Sequence, residues 1–322
     1  MTNPSLVNSP DLDSWIVIDD RGRVHVRSGK VDIGQRISTA LAILAGEELE
    51  VDPSQIVIES PNTKYPDEGI TSGSNSMMHS GNAVRFAAAT ARQHLLARGA
   101  EKLNVGVSEV TLHDGLISIP GTNQSVTYRE ALNNGRFGIP VDESVMFKSP
   151  ENYRWIGREH EPRGLVDMVT GAMVYLQDMT KPNMLHARCV RPPNYLARLY
   201  SLDPVILKRL KGEGFKVIKD GSFIALAGED EFQVIKAARR LAKGSKWVGP
   251  SINESDIFGQ LKSNPRESRP VVNGTPLEMP VQPLHKPPPH AVTTLSARYD
   301  KPYIMHGSIG PSAAMACAEV PG

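Results

Sequence analysis

SGKVDIGQR, Ser28 to Arg36, and GITSGSNSMMHSGNAVRFAAA, Gly69 to Ala89, decide how this sequence is read. The first runs from a strand through a glycine turn into a helix. Gly34 permits close backbone approach, and Gln35 sets an amide, donor and acceptor together, beside the helix N-terminus. That suits a polar ligand with phosphates or ring nitrogens, although a plain strand-to-helix turn accounts for the same residues. The second stretch gathers Thr71, Ser72, Gly73, Ser74, Ser76, Ser80 and Gly81 just before a long Ala-rich helix. Hydroxyl donors, free N–H groups and the helix dipole together favour an anion there. A solvated loop with Ser80 as a helix cap is the alternative. No Walker lysine is present, so an NTP-hydrolysing loop is not indicated.

Around these stretches the chain alternates short strands and helices. Trp15–Asp19 and Arg23–Ser28 predict a hairpin across Asp20–Gly22. Ile37, Leu41, Leu44 and Leu49 recur at helical spacing and predict a helix over Ser38–Glu50. Gln55–Ser60 reads as a buried strand, followed by a polar loop from Pro61 to Ser80. A long helix is expected over Gly81–Leu103, then a hairpin of Thr111–His113 and Leu116–Ile119 around Asp114–Gly115. Beyond Trp155, strands are expected at Ala172–Gln177, Leu185–Val190 and Phe223–Ala227, with helices at Pro204–Lys211 and Glu229–Lys243. Eight prolines between Pro265 and Pro289 make residues 249–292 an expected extended connector. Val292 to Gly322 returns to small and β-forming residues. The pattern is that of an α+β protein.

Composition excludes several functions. A net charge of +1 gives no global field for nucleic acid or an anionic membrane. No apolar run is long enough to span a bilayer, the N-terminus lacks a signal-peptide pattern, and the expected compartment is the cytoplasm. Cys189 and Cys317 are the only cysteines, whereas a two-iron cluster takes four thiolates, so no iron–sulfur cluster is expected within this chain. HExxH and CxxC are absent, and no protein-held metal is expected.

GKVDIGQ, a helix ending in EELEV, a strand, a hydroxyl-rich loop and an Ala-rich helix, in that order, resemble the molybdopterin-binding subunits of the xanthine dehydrogenase and aldehyde oxidase family. GLVDMVTGAMVYLQDM (Gly164–Met179) and MLHARCVRPPNYLARLYSLD (Met184–Asp203) resemble that family's hammerhead domain, and YDKPYIMHGSIGPSAAMA (Tyr299–Ala316) its next cofactor-domain segment. With the cofactor motif first, the order is similar to isoquinoline 1-oxidoreductase and nicotinate dehydrogenase large subunits. The resemblance implies a molybdopterin-binding domain over residues 1–150, an inserted hammerhead-type α/β domain over 151–250, a connector over 251–291, and the start of a second cofactor segment over 292–322. It implies that Gly34 and Gln35 meet the dithiolene end of the pterin. Thr71, Ser72, Gly73, Ser74 and Ser76 would meet the pterin or its phosphates, with Ser80 and Gly81 completing the site. Arg36 stands where the family has the second glycine of G-Q-G, and would alter the turn or add a phosphate-binding cation.

The implied activity is hydroxylation of an electron-poor carbon of an N-heteroaromatic compound with water as oxygen source, using molybdopterin cytosine dinucleotide with molybdenum. The family's general-base glutamate lies in sequence beyond Gly322. This leads us to expect a second molybdenum-binding subunit, a small subunit with [2Fe-2S] clusters, and no activity of this chain alone. A subunit of a molybdenum aldehyde dehydrogenase, a non-catalytic scaffold and a truncated product remain alternatives. A nucleotide-binding α/β protein of another family would carry GxGxxG or a P-loop after a strand, and neither is present. Elsewhere, His186 and His306 read as structural histidines. Asp67 and Glu68 read as solvated or paired with Lys64 or Arg85, Met77 and Met78 as core filling with packing on the pterin as the alternative, the VRPP turn at Val190–Pro193 as a rigid strand exit, and Arg239–Arg240 as a solvated face or subunit contact.

Overall fold

The computed structural model describes residues 3–317 apart from 60, 133–134, 251–253, 266, 268, 281–286, 298, 303, 306, 308–309 and 311. The chain divides into two units, Met1–Met173 and Val174–Gly322, and both mix helices with sheets.

In the first unit α1 (Pro4–Asn8) precedes the hairpin of β1 (Ile16–Ile18) and β2 (Val24–Val26). Alternation sends Ile16, Ile18, Val24 and Val26 into the core, each at most 2% exposed. Helix α2 (Ile37–Leu49) then crosses over to β3 (Val57–Ile58), which runs parallel to β2. Helix α3 (Asn82–Leu103) lies on α2 through small side chains, with Ala83, Ala87, Ala88, Ala91 and Ala100 buried. A β-carbon on Gly99 would stand 2.5 Å from Ile117 Cγ2, so glycine is what lets α3 approach the next sheet. That sheet is an antiparallel meander of β4 (Thr111–His113), β5 (Leu116–Ser118) and β6 (Ser125–Thr127). It leads into α4 (Tyr128–Ala131), whose Tyr128 is fully buried and donates its hydroxyl to Leu49 O at 2.7 Å. Helix α5 (Leu165–Thr170) closes the unit between two left-handed glycines, Gly164 and Gly171. The hairpins, the crossover strand and both long helices stand where the sequence predicts them; β6 is an addition to that reading.

The helix ending EELEV has a structural task of its own. Glu47 and Glu48 are completely buried at the end of α2. Glu47 accepts from Lys148 Nζ at 2.7 Å and from the N–H groups of Arg154, Trp155 and Ile156 at 2.8–3.1 Å. Glu48 pairs with Arg85 at 3.0 Å and Arg92 at 3.3 Å and accepts from Lys148 N–H. These bonds fasten residues 148–156 to α2, and the chain as far as Met173 belongs to the first unit.

In the second unit β7 (His186–Val190), β10 (Phe223–Gly228) and β9 (Lys216–Asp220) form an antiparallel sheet in that spatial order. β8 (Arg198–Leu202) pairs with β11 (Ser245–Val248). Helices α6 (Pro204–Gly212) and α7 (Glu231–Lys243) complete a small core of Val190, Leu210, Ile224, Leu226, Val234, Ala237 and Leu241. β8, β9 and β11 are likewise additions to the sequence reading.

Two expectations fail. Ala172–Gln177 is not a strand: after Gly171 the Met173 N–H folds back to Asp167 O, and a 3₁₀ turn follows at Leu176–Asp178. Its alternating apolar residues stay exposed, with no neighbouring strand among the described residues. The Pro-rich stretch is also not uniformly extended. It contains α8 (Ile257–Ser263), capped by Asp256, and a hairpin of β12 (Val271–Val272) and β13 (Thr275–Pro276) turned by Asn273–Gly274, both with positive φ. Neither element buries a residue. His306 and residues 318–322 lie outside the described residues.

Burial raises the pKa of Glu47, but Lys148 and three N–H groups outweigh it and hold the carboxyl below the ordinary glutamate value. Such a group adds stability at pH above the ordinary range, and the contribution is lost as pH falls through the lowered native value. Glu47→Gln is therefore expected to lower unfolding free energy by about 3 kcal/mol at neutral pH and to flatten the acid limb. Urea denaturation of wild type and variant between neutral and acid pH tests this; equal stability at neutral pH would refute it.

Candidate functional site

At the end of β2 the chain enters the first of the two stretches. A β-carbon on Gly29 would lie 2.2 Å from Pro66 O, so only glycine admits the incoming loop. Lys30 is buried, and its ammonium donates to the carbonyls of Glu68 at 2.5 Å and Ile70 at 3.1 Å. Val31 N–H donates to Thr71 Oγ1 at 3.0 Å. Asp32 organises the turn by accepting from the N–H groups of Gly34 and Arg36 and from Ser38 Oγ at 2.6 Å. Burial pushes its pKa up, but the Ser38 hydroxyl and these N–H groups prevail and hold it below the usual carboxylate range. Gly34 and Arg36 both take positive φ, 102° and 63°, and the space where a Gly34 side chain would project is open. The Gln35 amide is closed onto its own turn, donating to Val31 O at 2.8 Å and accepting from Ile33 N–H at 2.6 Å. Arg36 keeps an Nη1 contact at 3.4 Å to Met168 Sδ.

The second stretch is tied to the first by Glu68. Its carboxylate accepts from Ser5 Oγ (2.8 Å), Ser28 Oγ (2.8 Å), Gly29 N–H (2.8 Å) and Ser80 Oγ (3.0 Å). Glu68 is thus neither a solvated acid nor a partner of Lys64 or Arg85. Asp67 turns to the N–H of Gly69. Gly73 and Ser74, both with positive φ, form a tight turn closed from Asn75 N–H to Ser72 O. One π-helical turn, Met77–Gly81, then leads into α3, with Gly81 N–H reaching Ser76 O at 2.9 Å.

The residues singled out in the sequence therefore divide. Ser80 is fully buried and committed to Ser28 and Glu68. Gly81 is buried beneath Met77 and Leu44. Thr71 joins the two loops. Among the described residues the hydroxyls of Ser72, Ser74 and Ser76 have no hydrogen-bond partner, and no acceptor meets the N–H groups of Ser76, Met77 and Met78. Met77 and Met78 are about half exposed rather than core filling, and Ile33 and Ile70 are exposed beside the same loops. Lys30 and Val31, just ahead of the Gly34–Arg36 turn, are bonded to Ile70 and Thr71 at the start of the 71–76 loop, and Ser80 and Gly81 are buried. A set of three free hydroxyls and three free N–H groups at the head of a helix, rimmed by apolar side chains, fits a ligand with phosphate or ring-nitrogen acceptors and a flat apolar body.

Lys30, Asp32 and Glu68 escape a reading of the sequence as site residues. Asp32 has a legible signal, a carboxylate just ahead of a helix start. Lys30 and Glu68 have none, because all their partners but Ser80 are 38 to 63 residues away.

The family model described as molybdopterin cofactor-binding domain matches residues 2–175. A nicotinate dehydrogenase subunit from Pseudomonas putida KT2440 is similar at 30% identity over 96% of this chain and 26% of its own length. The beta subunit of isoquinoline 1-oxidoreductase from Brevundimonas diminuta is similar at 22% identity over 79% of this chain and 37% of its own. The chain thus spans about a quarter of the first relative and little more than a third of the second. Among solved structures, quinoline 2-oxidoreductase from Pseudomonas putida 86 covers 36% of this chain and 15% of its own at 25% identity, with a TM-score of 0.30.

Glu68→Ala removes the acceptor for three hydroxyls and one N–H. We expect it to cost about 2 kcal/mol and to speed proteolytic cleavage within residues 69–76. Unchanged stability and cleavage rate would show that the loops hold together without it.

Proposed function

The chain belongs to the molybdopterin cofactor-binding domain family, and from that premise we propose that it forms one wall of the cofactor cleft in a multi-subunit molybdenum hydroxylase. The observation that carries this reading is the pairing of the Gly34 turn with the 71–76 loop, joined by Glu68 and by Val31 to Thr71, with free donors left on the outer face. Ser72, Ser74 and Ser76, with the N–H groups of Ser76–Met78, bind the phosphates of a cytosine dinucleotide tail. The open side of Gly34 receives the dithiolene end of the pterin. Gln35 holds the turn and reaches the ligand only by giving up both of its intraloop bonds. Met77, Met78, Ile33 and Ile70 cover the pterin and exclude water. Arg36 shapes the turn through its left-handed backbone, and its guanidinium is assigned to a phosphate of the tail.

When bound, the cofactor supplies the redox centre at which water oxygen is transferred to an electron-poor carbon. This chain's own work is binding and orientation. The general-base glutamate is assigned to sequence outside these residues. Iron–sulfur clusters are assigned to a small subunit, because two cysteines fall short of the four thiolates one cluster needs. Two relatives' names, a nicotinate dehydrogenase and an isoquinoline 1-oxidoreductase, support an N-heteroaromatic substrate. The second unit is assigned to the hammerhead type. No helix of the described residues is long and apolar enough to cross a membrane.

The test is purification of the tagged chain from its host, with assays of molybdenum, cytosine nucleotide and accompanying subunits. Ser72→Ala/Ser74→Ala/Ser76→Ala is expected to reduce bound molybdenum and nucleotide together at least tenfold without changing thermal stability. Wild-type chain free of both would overturn the reading. A loaded complex that oxidises aldehydes but no N-heteroaromatic acid would overturn the substrate class alone.

A further inference from the structure

The near-neutral total charge conceals an imbalance. Residues 174–250 carry fourteen Lys and Arg against seven Asp and Glu, whereas residues 1–173 carry sixteen against twenty-two. Part of the basic excess gathers along α7. An open groove of about 400 Å³ lies between α7 and β7, lined by Arg188, Arg191 and Arg239 and by the apolar Ile235, Ala238 and Ala242. A second, of about 560 Å³, shares Arg239 and continues to Lys236 and Lys243. Arg188 is neutralised by Glu231. Arg191 and Arg239 have neither an ion pair nor a hydrogen bond among the described residues.

The strand beside this groove is open. β7 is bonded to β10 along one edge, and among the described residues no strand lies against the other. Such an edge offers a row of N–H and C=O groups to an added strand. An open edge, a helix running beside it, and an aliphatic trough between them are the requirements for strand addition: main-chain bonds give affinity and alternate side chains give selectivity. Unpaired guanidiniums select carboxylates. We infer that the β7–α7 groove binds an extended acidic segment of a partner polypeptide, which adds to β7 and sets its carboxylates against Arg191 and Arg239. A single-stranded nucleic acid is the poorer fit, because the trough is aliphatic and lacks the aromatic faces on which bases stack. The inference rests on the second unit alone and is independent of the cofactor reading.

The test is fluorescence anisotropy of a labelled heptapeptide of alternating Val and Glu titrated with the full chain. Saturable binding is expected. It should weaken with salt and fall at least tenfold in Arg239→Glu and in Arg191→Glu. Lys208→Glu, the same change of charge on α6 outside the groove, should leave it unaltered. N-methylation of one alternate set of peptide residues should abolish binding, and N-methylation of the other should not, because only one set of N–H groups faces β7. Absence of saturable binding overturns the inference, as does equal loss in Lys208→Glu. Indifference to both N-methylated sets, or displacement of the peptide by an oligonucleotide at equal concentration, reduces the groove to a non-specific basic surface and also overturns it.

Discussion

The geometry of the two paired loops depends on one carboxylate. Glu68 gathers α1, the end of β2 and the head of α3 by accepting from Ser5, Ser28, Gly29 and Ser80. Hydrogen bonds to a charged acceptor contribute about 1.5–3 kcal/mol each. Of the direct links between the loops, Val31 to Thr71 is an exposed neutral bond of the weaker class, Ser28 to Ser80 is made at Glu68 itself, and Lys30 reaches Ile70 O. The carboxylate therefore decides where the hydroxyl loop sits, and the visible contact between the loops follows from it. Lys30 closes the arrangement from the other side by holding the carbonyls of Glu68 and Ile70.

A similar logic governs the end of α2. Burying Glu47 and Glu48 costs several kcal/mol per charge unless each is fully paired, and here Lys148, Arg85, Arg92 and a run of backbone N–H groups do so. The gain is positional. None of residues 148–156 is fully buried, and the two glutamates give that segment one place to lie.

Legibility follows the range of the interactions. α2, α3, α6 and α7 and the hairpins of β1–β2 and β4–β5 announce themselves through periodicity and turn residues, all within a few positions in sequence. The Gly34 turn and the hydroxyl loop are legible for the same reason. The roles within the loop are not. Ser76 and Ser80 look alike in the sequence, yet Ser76 is free and Ser80 is buried, because the distinction comes from Glu68 and from Ser28, 52 residues away. The alternation over Ala172–Gln177 misleads, since period-two apolarity predicts a strand only where another strand lies alongside. Net charge misleads in a different way, because a sum over the chain erases the contrast between its two parts.

The π-turn at Met77–Gly81 has a consequence for how this segment tolerates change in length. A residue deleted inside α3 would rotate everything upstream by about 100° and carry Ser80 off its carboxylate. The π-turn already holds one residue more than an α-helical turn requires. A deletion among Met77, Met78 and His79 can be absorbed by relaxation to α-helical geometry, with the buried alanines of α3 left in register. The head of this helix is therefore the place where the segment can lose a residue without unpicking the core beneath it.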